Sequence, residues 1–403
     1  MSSTPRARRS RRPYPTDRSD TPSSDEDRRP RPVAGSLRID EEGRGWVESG
    51  PTHAFVPAGM VRGLGLRAGD VVEGETEAVG GDERRAPALA RVERVSGMSP
   101  EAARGRPRFE DLTPVFPDEM LRLDGGGSPG DPTARVVDLV APIGKGQRGL
   151  IVAPPKAGKT SVLRQIAGAI ERNHPEVRLL VLLIDERPEE VTELRRAVST
   201  GEVVASTFDR PAREHVAVAE ATFERAKRMV ELGLDVVVLL DGVTRLARAY
   251  NMAARTTGRV LSGGVDAGAL YPPKRLFGAA RNVEEGGSLT VLATALVETG
   301  SRMDEVIFEE FKGTGNMELK LDRRLAERRL YPAVDVAGSS TRHEELLVSR
   351  EELAARWRLR RVLGGLADEG REAAALEMLI ERLRATETNA EFLTLVQASA
   401  AVS

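Results

Sequence analysis

Continuous apolar runs, bounded by polar or glycine residues, dominate the hydrophobic pattern of the chain from Arg135 onward. They occupy residues 179–184, 236–240 and 289–295. Amphipathic stretches such as residues 216–232 separate them. Runs without alternation are typical of strands buried on both faces of a parallel sheet. A 3.6-residue periodicity in residues 350–362 and 371–384 predicts helices near the C-terminal end. The pattern therefore predicts an α/β domain with a parallel sheet over residues 135–403.

A different pattern precedes this domain. Short strand-like pieces separated by glycine-rich turns predict a small β-barrel over residues 33–97. The pieces are residues 45–47, 54–56, 70–74 and 89–92. Residues 98–134 are rich in Pro, Gly and charged residues, which is typical of a linker. Residues 1–32 contain Pro, Ser, Arg and Asp with almost no aliphatic side chains, so we expect a disordered tail.

Composition excludes several classes of function. The 403 residues contain no cysteine, so disulfides, thiolate catalysis and Cys-based metal sites are excluded. The four histidines are scattered without metal-ligand spacing. No apolar run approaches about 18 residues, and the Arg-rich start lacks the apolar segment of a secretory signal. We therefore expect a cytoplasmic protein without a membrane span. The net charge of -2 means that any nucleic-acid-binding surface must be local.

Residues 153–160, Ala-Pro-Pro-Lys-Ala-Gly-Lys-Thr, follow the apolar run 149–152 and precede a predicted helix over residues 161–172. A strand, a turn of small and ring-locked residues and a helix start form a phosphate-binding loop, whose backbone N–H groups cradle a polyphosphate. Lys159 is expected to reach the β- and γ-phosphates, and the Thr160 hydroxyl to hold Mg²⁺. The generic pattern begins with Gly, where this chain has Ala153.

Two further predicted strands end in acidic residues. Glu186 follows the run 179–184, and Asp241 closes the run 236–240. In open α/β sheets, ligands lie beyond the carboxyl ends of the strands, where the phosphate loop is also expected. We therefore predict that Asp241 binds Mg²⁺, directly or through water, and that Glu186 polarises an attacking water. In isolation, each acid could equally be a helix cap or a surface carboxylate.

Five longer segments resemble the bacterial family of Rho transcription termination factors. They are residues 148–160, 182–193, 240–251, 277–288 and 303–318, and the resemblance extends over most of residues 134–395. It implies a RecA-like P-loop ATPase domain that works in a homohexameric ring, with ATP between protomers and single-stranded RNA in the central hole. The preceding barrel would be an OB-type, cold-shock-like RNA-binding domain.

The resemblance also implies roles for individual residues. Glu186 would be the catalytic base, Arg342 the arginine finger of the adjacent protomer, and Arg329 a second interfacial phosphate sensor. A guanidinium inserted from a neighbour would stabilise the charge that grows on the phosphoryl oxygens. The residues implied to surround ATP are Gly144, Lys145, Gly146, Gln147, Arg148, Gly149, Lys156, Ala157, Gly158, Lys159, Thr160, Ser161 and Arg187, and the implied Mg²⁺ ligands are Thr160 and Asp241.

RNA contacts are implied at two loops and on the barrel. The loop residues are Arg259, Val260, Leu261, Ser262, Gly263, Gly264 and Arg302, and the barrel residues are Gly43, Arg44, Gly45, Trp46, His53, Ala54 and Phe55. The barrel departs from the family pattern, because Arg44 replaces an aromatic residue and Glu48 replaces a basic one. Each stacked base contributes about 1–3 kcal/mol, so loss of one stacking platform should weaken single-strand binding.

The residues predict an ATP-hydrolysing site, and the resemblance implies an ATP-dependent RNA–DNA helicase that binds nascent RNA, moves 5′ to 3′ and terminates transcription at the RNA polymerase elongation complex. One alternative is a degenerate family member that hydrolyses ATP but no longer loads on transcripts. Another is a non-enzymatic RNA-binding or ring-assembly module, although the intact phosphate loop and strand-end acids argue against it. A rotary-ATPase-type subunit shares the core fold but would not need the two RNA loops.

Overall fold

A computed structural model of the chain describes residues 30–49, 52–77, 86–125, 127, 130–254 and 260–398. Most of the predicted tail, residues 1–29, lies outside this part of the chain. Within it, no helix is long and apolar enough to cross a membrane.

A curled antiparallel sheet forms the N-terminal part of the fold. It consists of β1 (Pro32–Ile39), β2 (Gly45–Ser49), β3 (Thr52–Val56), β4 (Val71–Thr76) and β5 (Leu89–Val95), with helix α1 (Ala58–Leu64) before β4. The strand order is β3-β2-β1-β4-β5, and a bridge between Phe55 and Ala88 brings the two edges together. Alternate side chains such as Leu37 and Val47 fill its interior. The predicted barrel is confirmed, although β1 is not predicted because Gly and Ser interrupt its apolar pattern.

The described part of residues 98–134, predicted as a linker, packs against both parts of the fold. It includes α2 (Pro100–Gly105), a 3₁₀ turn (Phe109–Asp111) and β6 (Pro114–Val115). Phe109 is buried in the core of the larger domain. Arg106 and the barrel residue Arg67 both donate to the buried Glu231 carboxylate, at 3.0 and 2.8 Å. These contacts therefore hold the barrel against the larger domain.

The larger domain alternates strands and helices. Its strands are β7 (Arg148–Ala153), β8 (Arg178–Glu186), β9 (Glu202–Thr207), β10 (Asp235–Asp241), β11 (Val260–Leu261), β12 (Val265–Asp266), β13 (Arg281–Val283), β14 (Ser288–Leu296), β15 (Met317–Lys320) and β16 (Ser340–Thr341). Its helices are α3 (Thr133–Val140), α4 (Lys159–Asn173), α5 (Pro188–Ala197), α6 (Ala212–Val230), α7 (Val243–Ala253), α8 (Tyr271–Gly278), α9 (Arg302–Lys312), α10 (Arg323–Glu327), α11 (Arg350–Asp368), α12 (Glu372–Arg384) and α13 (Asn389–Ala398).

The main sheet has the strand order β16-β15-β7-β14-β10-β8-β9. Neighbours from β15 to β9 are parallel, whereas β16 is antiparallel to β15. The predicted parallel sheet is therefore confirmed, and the three apolar runs are β8, β10 and β14. Parallel order places the carboxyl ends of β7, β10 and β8 along one edge of the sheet, where ligands bind in this architecture.

Side chains from both faces of these strands are buried. Leu179, Val181 and Leu183 of β8 join one core, together with apolar residues of α4, α11 and α12. The alternate β8 residues Leu180 and Leu182 join a second core with α6 and α7. Burial on both faces explains why the run is apolar without alternation.

Candidate functional site

The loop between β7 and α4 has the backbone conformation of an anion cradle. Gly158 precedes α4 with φ 92° and ψ 19°, a left-handed conformation that glycine adopts without strain. Lys156 also has a positive φ, of 68°. A Cβ atom at position 158 would lie 3.6 Å from the Tyr331 ring. Because α4 begins at Lys159, the unpaired N–H groups of its first turn are available to an anion bound at this loop.

Three charged side chains meet beside the loop. The Lys159 ammonium lies 2.7 Å from Glu186 Oε1 and also contacts Asp241 Oδ1. Glu186 ends β8 and Asp241 ends β10, and their exposed fractions are only 2% and 1%. The structure thus brings together the lysine and the two acids that were expected at this edge of the sheet.

Arg245 of α7 joins this group and is not predicted from the sequence. Its guanidinium contacts Glu186 and donates to the Asp185 carbonyl at 3.0 Å. Burial alone would raise the pKa of Glu186, but the Arg245 hydrogen bond and the Lys159 charge outweigh it and hold that pKa below its usual value. Glu186 is therefore ionised at neutral pH and can accept a hydrogen bond from water. The only sequence signal for Arg245 is its place one helical turn beyond Asp241.

The two oxygens of Asp241 differ in their surroundings. Oδ1 accepts from the Thr294 hydroxyl at 2.7 Å, in addition to its contact with Lys159. Oδ2 is buried and has no hydrogen-bond partner among the described residues. With the Thr160 hydroxyl at the start of α4, Oδ2 fits the oxygen donors of a Mg²⁺ ion that arrives with a nucleotide. Within the described ranges, no group of three or more His, Asp or Glu side chains could hold a metal ion by itself.

A cleft of about 620 Å³ opens beside the phosphate loop. Pro132, Gly158 and Gln165 line it together with Tyr331, which is 46% exposed. Tyr331 is not predicted as a site residue, yet its ring offers an aromatic face to a flat group bound next to the loop. Arg329, implied to be an interfacial phosphate sensor, is exposed and has φ 62°.

Arg342 lies at the opposite end of the sheet from the phosphate loop. Its neighbour Thr341 pairs with Met317 of β15, and Met317 pairs with Gly149 near the start of β7. The phosphate loop begins at Ala153, where β7 ends. At about 3.3 Å per residue, roughly 15 Å of strand separates the two ends. The exposed Arg342 side chain therefore lies far from the phosphate loop of its own chain.

The segment that leads into β7, implied to surround ATP, lies at this same distant end. It comprises Gly144, Lys145, Gly146, Gln147, Arg148 and Gly149. Lys145 is held by Asp235 at 2.9 Å and Glu119 at 2.7 Å, and Gln147 donates to Asn316 at 2.6 Å. The structure does not bring these residues to the phosphate loop of the same chain, because they lie before or at the start of the strand whose end the loop follows.

The two loops implied to contact RNA meet in the structure. Gly263 has φ 83° and lies so close to α9 that a Cβ atom would come within 2.7 Å of the Met303 nitrogen. β11 begins at Val260, which is 63% exposed. Arg302 is exposed at the start of α9. Arg259 lies outside the described residues.

Helix α7 connects the carboxylate site to both loops. Residues spaced three apart on a helix lie next to one another on one face. Arg245 reaches the carboxylate site, whereas Arg248 makes two hydrogen bonds to Asp304, at 2.8 and 2.6 Å. Asn251 donates to the Gly264 carbonyl at 3.3 Å. One helical face therefore contacts the strand-end acids, the start of α9 and the β11–β12 loop.

On the barrel, Trp46 and Phe55 face outward together. They are paired directly across β2 and β3, and their rings lie 5.9 Å apart in an edge-to-face arrangement. The Arg44 guanidinium carbon lies 5.8 Å from the centre of the Trp46 ring. Alternation turns Gly45 and Ala54 inward, and Ala54 is only 1% exposed. The Ala54 side chain therefore does not lie on the outward face where the resemblance implies an RNA contact, and Gly45 has no side chain to place there.

Acidic neighbours hold the arginines of this face. Arg44 donates to Asp40 at 2.9 Å and pairs with Glu42 at 2.7 Å. Arg38 pairs with Glu48 at 3.0 Å. Both positive charges are balanced locally, so this face offers little excess charge to attract phosphates.

Several other implied residues lie on the surface, namely Lys156, Ser161, Arg187, His53, Leu261 and Ser262. Ala157 is buried, and Gly43 forms the turn before β2 with φ 77°.

Both parts of the chain match families of known proteins. Residues 33–101 match the Rho termination factor, RNA-binding domain, and residues 133–341 match the ATP synthase alpha/beta family, nucleotide-binding domain. The transcription termination factor Rho of Pseudomonas aeruginosa is 56% identical over 366 residues, which cover 89% of this chain and 86% of that protein. The chain belongs to the Rho family of transcription termination factors. The family member from Haemophilus influenzae is 54% identical over 373 residues, covering 91% of this chain and 87% of that protein.

Other relatives are longer. The Rho protein of Streptomyces lividans is 60% identical over 350 residues, which cover 86% of this chain and 48% of that protein. The chain therefore spans about half the length of this relative. Among solved structures, an ATPase of the type III secretion system of pathogenic bacteria has a TM-score of 0.58 at 23% identity, covering 79% of this chain and 94% of that one. At this identity the likeness establishes a common P-loop ATPase fold.

Proposed function

We propose that the protein is an ATP-driven RNA–DNA helicase that loads on nascent RNA, moves 5′ to 3′ and terminates transcription. Its partner would be the RNA polymerase elongation complex in the cytoplasm. One observation carries the proposal: Lys159, Glu186 and Asp241 converge beside a phosphate loop, and α7 ties this site to the two RNA loops. Family membership supports the direction of movement and the role in termination.

Each side chain of the site has a proposed role in ATP hydrolysis. Lys159 binds the β- and γ-phosphates, whose oxygens take the place of the two carboxylates as its partners. Glu186, ionised at neutral pH, accepts a hydrogen bond from the attacking water and orients it. Asp241 and the Thr160 hydroxyl would hold Mg²⁺, which neutralises charge on the phosphates when bound. Tyr331 offers its ring to the adenine base.

The position of Arg342 supports a site shared between chains. In one chain, the phosphate loop follows the end of β7, whereas Arg342 lies level with the start of β7. A head-to-tail contact between two chains is therefore needed to bring Arg342 of one chain to the phosphate loop of the next. Repetition of such a contact closes a ring when the rotation between chains allows it. We propose a homohexamer in which Arg342 and residues 144–149 face the nucleotide of the neighbouring chain. There the Arg342 guanidinium stabilises charge on the transferred phosphoryl group.

The α7 contacts support coupling between hydrolysis and RNA movement. When Glu186 exchanges one hydrogen-bond partner for another, the surroundings of Arg245 on α7 change. Other side chains of α7 contact Asp304 and the β11–β12 loop. Because α7 is a rigid element of about 16 Å at 1.5 Å per residue, displacement at one end is transmitted to the other.

The test is steady-state ATP turnover with and without pyrimidine-rich single-stranded RNA. We expect RNA to stimulate turnover, and we expect Lys159→Ala to lose turnover in both conditions while retaining its fold. Lys312→Ala, which removes a surface lysine of α9, is the control and should behave as the wild type. Equal turnover with and without RNA would contradict RNA coupling, whereas wild-type turnover by Lys159→Ala would contradict the nucleotide site.

A second candidate is a family ATPase that no longer loads on transcripts. The pairing of Arg44 with Asp40 and Glu42 on the barrel favours it, because neither stacking nor free positive charge is provided at that position. ATP turnover that responds to RNA only at concentrations far above those of a transcript would support this candidate.

A further inference from the structure

Glu186 lies immediately after a bulge in β8. Along the pairing with β9, Ile184 faces Ser206 and Glu186 faces Thr207, so Asp185 is skipped. Asp185 has φ 58°, a left-handed conformation that strains a residue other than glycine. Bulges next to active sites re-aim the following side chain. The direction of the Glu186 carboxylate therefore depends on how the bulge at Asp185 is held.

A buried histidine lies against this bulge. His215, in the first turn of α6, is only 4% exposed. Its Nδ1 is 2.8 Å from the Ser206 hydroxyl, and its Nε2 is 3.9 Å from Asp185 Oδ1. The tautomer with its proton on Nε2 accepts from Ser206 and directs an N–H at the Asp185 carboxylate. His215 thus spans the strand pair at the point where the pairing shifts.

We infer that His215 is a positioning residue for ATP hydrolysis, which holds the Asp185 bulge and thereby aims Glu186 at the attacking water. This inference rests on the proposed catalytic role of Glu186. It assigns His215 no contact with ATP, because its ring is enclosed between α6, Ser206 and Asp185. Arg245 supports the same bulge by donating to the Asp185 carbonyl, at 3.0 Å.

Removal of the imidazole would leave the bulge with fewer supports. The Ser206 hydroxyl would lose its partner, and the strained backbone at Asp185 could relax toward regular strand geometry. A shift of one residue in strand pairing turns a side chain to the opposite face. Even a displacement of about 1 Å at a catalytic group can cost about 100-fold in rate. ATP binding at the phosphate loop does not depend on this bulge and should persist.

The experiment measures kcat and KM for RNA-stimulated ATP turnover in the full chain, together with the affinity for a fluorescent ATP analogue. We expect His215→Ala to lower kcat by about 10- to 100-fold, with KM and analogue affinity within about twofold of wild type. His215→Gln should recover part of kcat, because its amide can reach Ser206. Thr222→Ala is the matched control, since it removes another buried polar side chain of α6, away from the bulge, and should leave kcat unchanged.

A double variant separates positioning from general structural damage. If His215 acts through Glu186, His215→Ala should cause little further loss in a Glu186→Gln background, because effects on one unit are not additive. If His215→Ala does not fold, Ser206→Ala removes the same hydrogen bond from β9 and should lower kcat in the same direction.

The outcomes are distinct. Wild-type kcat in His215→Ala, or an equal loss in Thr222→Ala, would overturn the inference while Glu186→Gln remained inactive. Wild-type turnover in Glu186→Gln would instead overturn the proposed function on which the inference rests.

Discussion

Arg248 of α7 holds Asp304 of α9 through two hydrogen bonds, of 2.8 and 2.6 Å. Asp304 also accepts from the Thr299 hydroxyl at 2.6 Å, so it links the second loop that we propose contacts RNA to the helix that contacts Glu186. The pair thus lies between the proposed nucleotide site and the proposed RNA loops, and neither residue is proposed to contact ATP or RNA.

Arg248→Ala should weaken the response of ATP turnover to RNA. Changes at residues that link two sites alter coupling by about 0.5–2 kcal/mol, so stimulation should fall by about 2- to 30-fold. Turnover without RNA should change much less. The measurement is the ratio of turnover with saturating RNA to turnover without it. Lys274→Ala, which breaks the surface pair with Glu310 of α9 at 2.9 Å, is the control, and an equal loss there would argue against a specific role for Arg248.

Glu186→Gln should bind ATP and hydrolyse it very slowly. The amide keeps the shape of the side chain but accepts a hydrogen bond from water less strongly, and loss of such catalysis typically costs about 10²–10⁴ in rate. Single-turnover hydrolysis and binding of an ATP analogue separate the two steps. A defect confined to ATP affinity would make Glu186 a binding residue.

Arg342 should act on the nucleotide of a neighbouring chain. Rings mixed from Arg342→Ala and Lys159→Ala chains contain some interfaces with an intact Lys159 facing an intact Arg342. Turnover should therefore recover in part when the two inactive variants are mixed, with a maximum near equal proportions. No recovery at any proportion, with mixed rings verified by mass, would contradict a shared site.

Asp40→Asn should strengthen RNA binding and make it more salt-dependent. The change removes one of the two carboxylates that pair with Arg44 and leaves Glu42, so the guanidinium can exchange its weaker remaining pairing for a phosphate and release a counterion. Binding titrations of single-stranded RNA at two salt concentrations measure the slope. Glu41→Gln removes a neighbouring acidic charge without a contact to Arg44 and serves as the control; the same gain there would indicate a general charge effect.

Arg44→Phe should also strengthen RNA binding, but by stacking. The new ring would restore a platform beside Trp46 and contribute roughly fivefold in affinity, the lower end for one stacked base. This gain should depend little on salt, which distinguishes it from the effect of Asp40→Asn. Unchanged affinity would mean that RNA does not pass over Trp46.

The parallel sheet and the strand-end acids could be predicted because each depends on a short stretch of neighbouring residues. A strand buried on both faces must be apolar throughout, and an acid directly after it lies at the ligand edge of the sheet. Glu186 and Asp241 follow from these rules, and Lys159 follows from the phosphate-loop pattern. The contacts of Arg245, Thr294 and Tyr331 do not, because each depends on which distant elements the fold brings together.

In the barrel, too, local patterns could be predicted from the sequence and contacts between side chains could not. The strands that contain Trp46 and Phe55 are predicted from short strand-like patterns in the sequence. Strand β1 is not predicted, because Gly and Ser interrupt its apolar positions. Substitution of an aromatic residue by Arg44 is visible in the sequence, but its pairing with Asp40 and Glu42 is visible only in the structure.

Unwinding of an RNA–DNA hybrid with a single-stranded RNA extension tests the central claim most directly. Hybrids with the extension on the 5′ side or on the 3′ side of the RNA are compared, with hydrolysable or non-hydrolysable ATP. Our account predicts release of the DNA strand only from the 5′-extended hybrid and only when ATP can be hydrolysed, with no release by Lys159→Ala. Release from both hybrids, release without hydrolysis, or no release despite RNA-stimulated ATP turnover would contradict a 5′-to-3′ helicase.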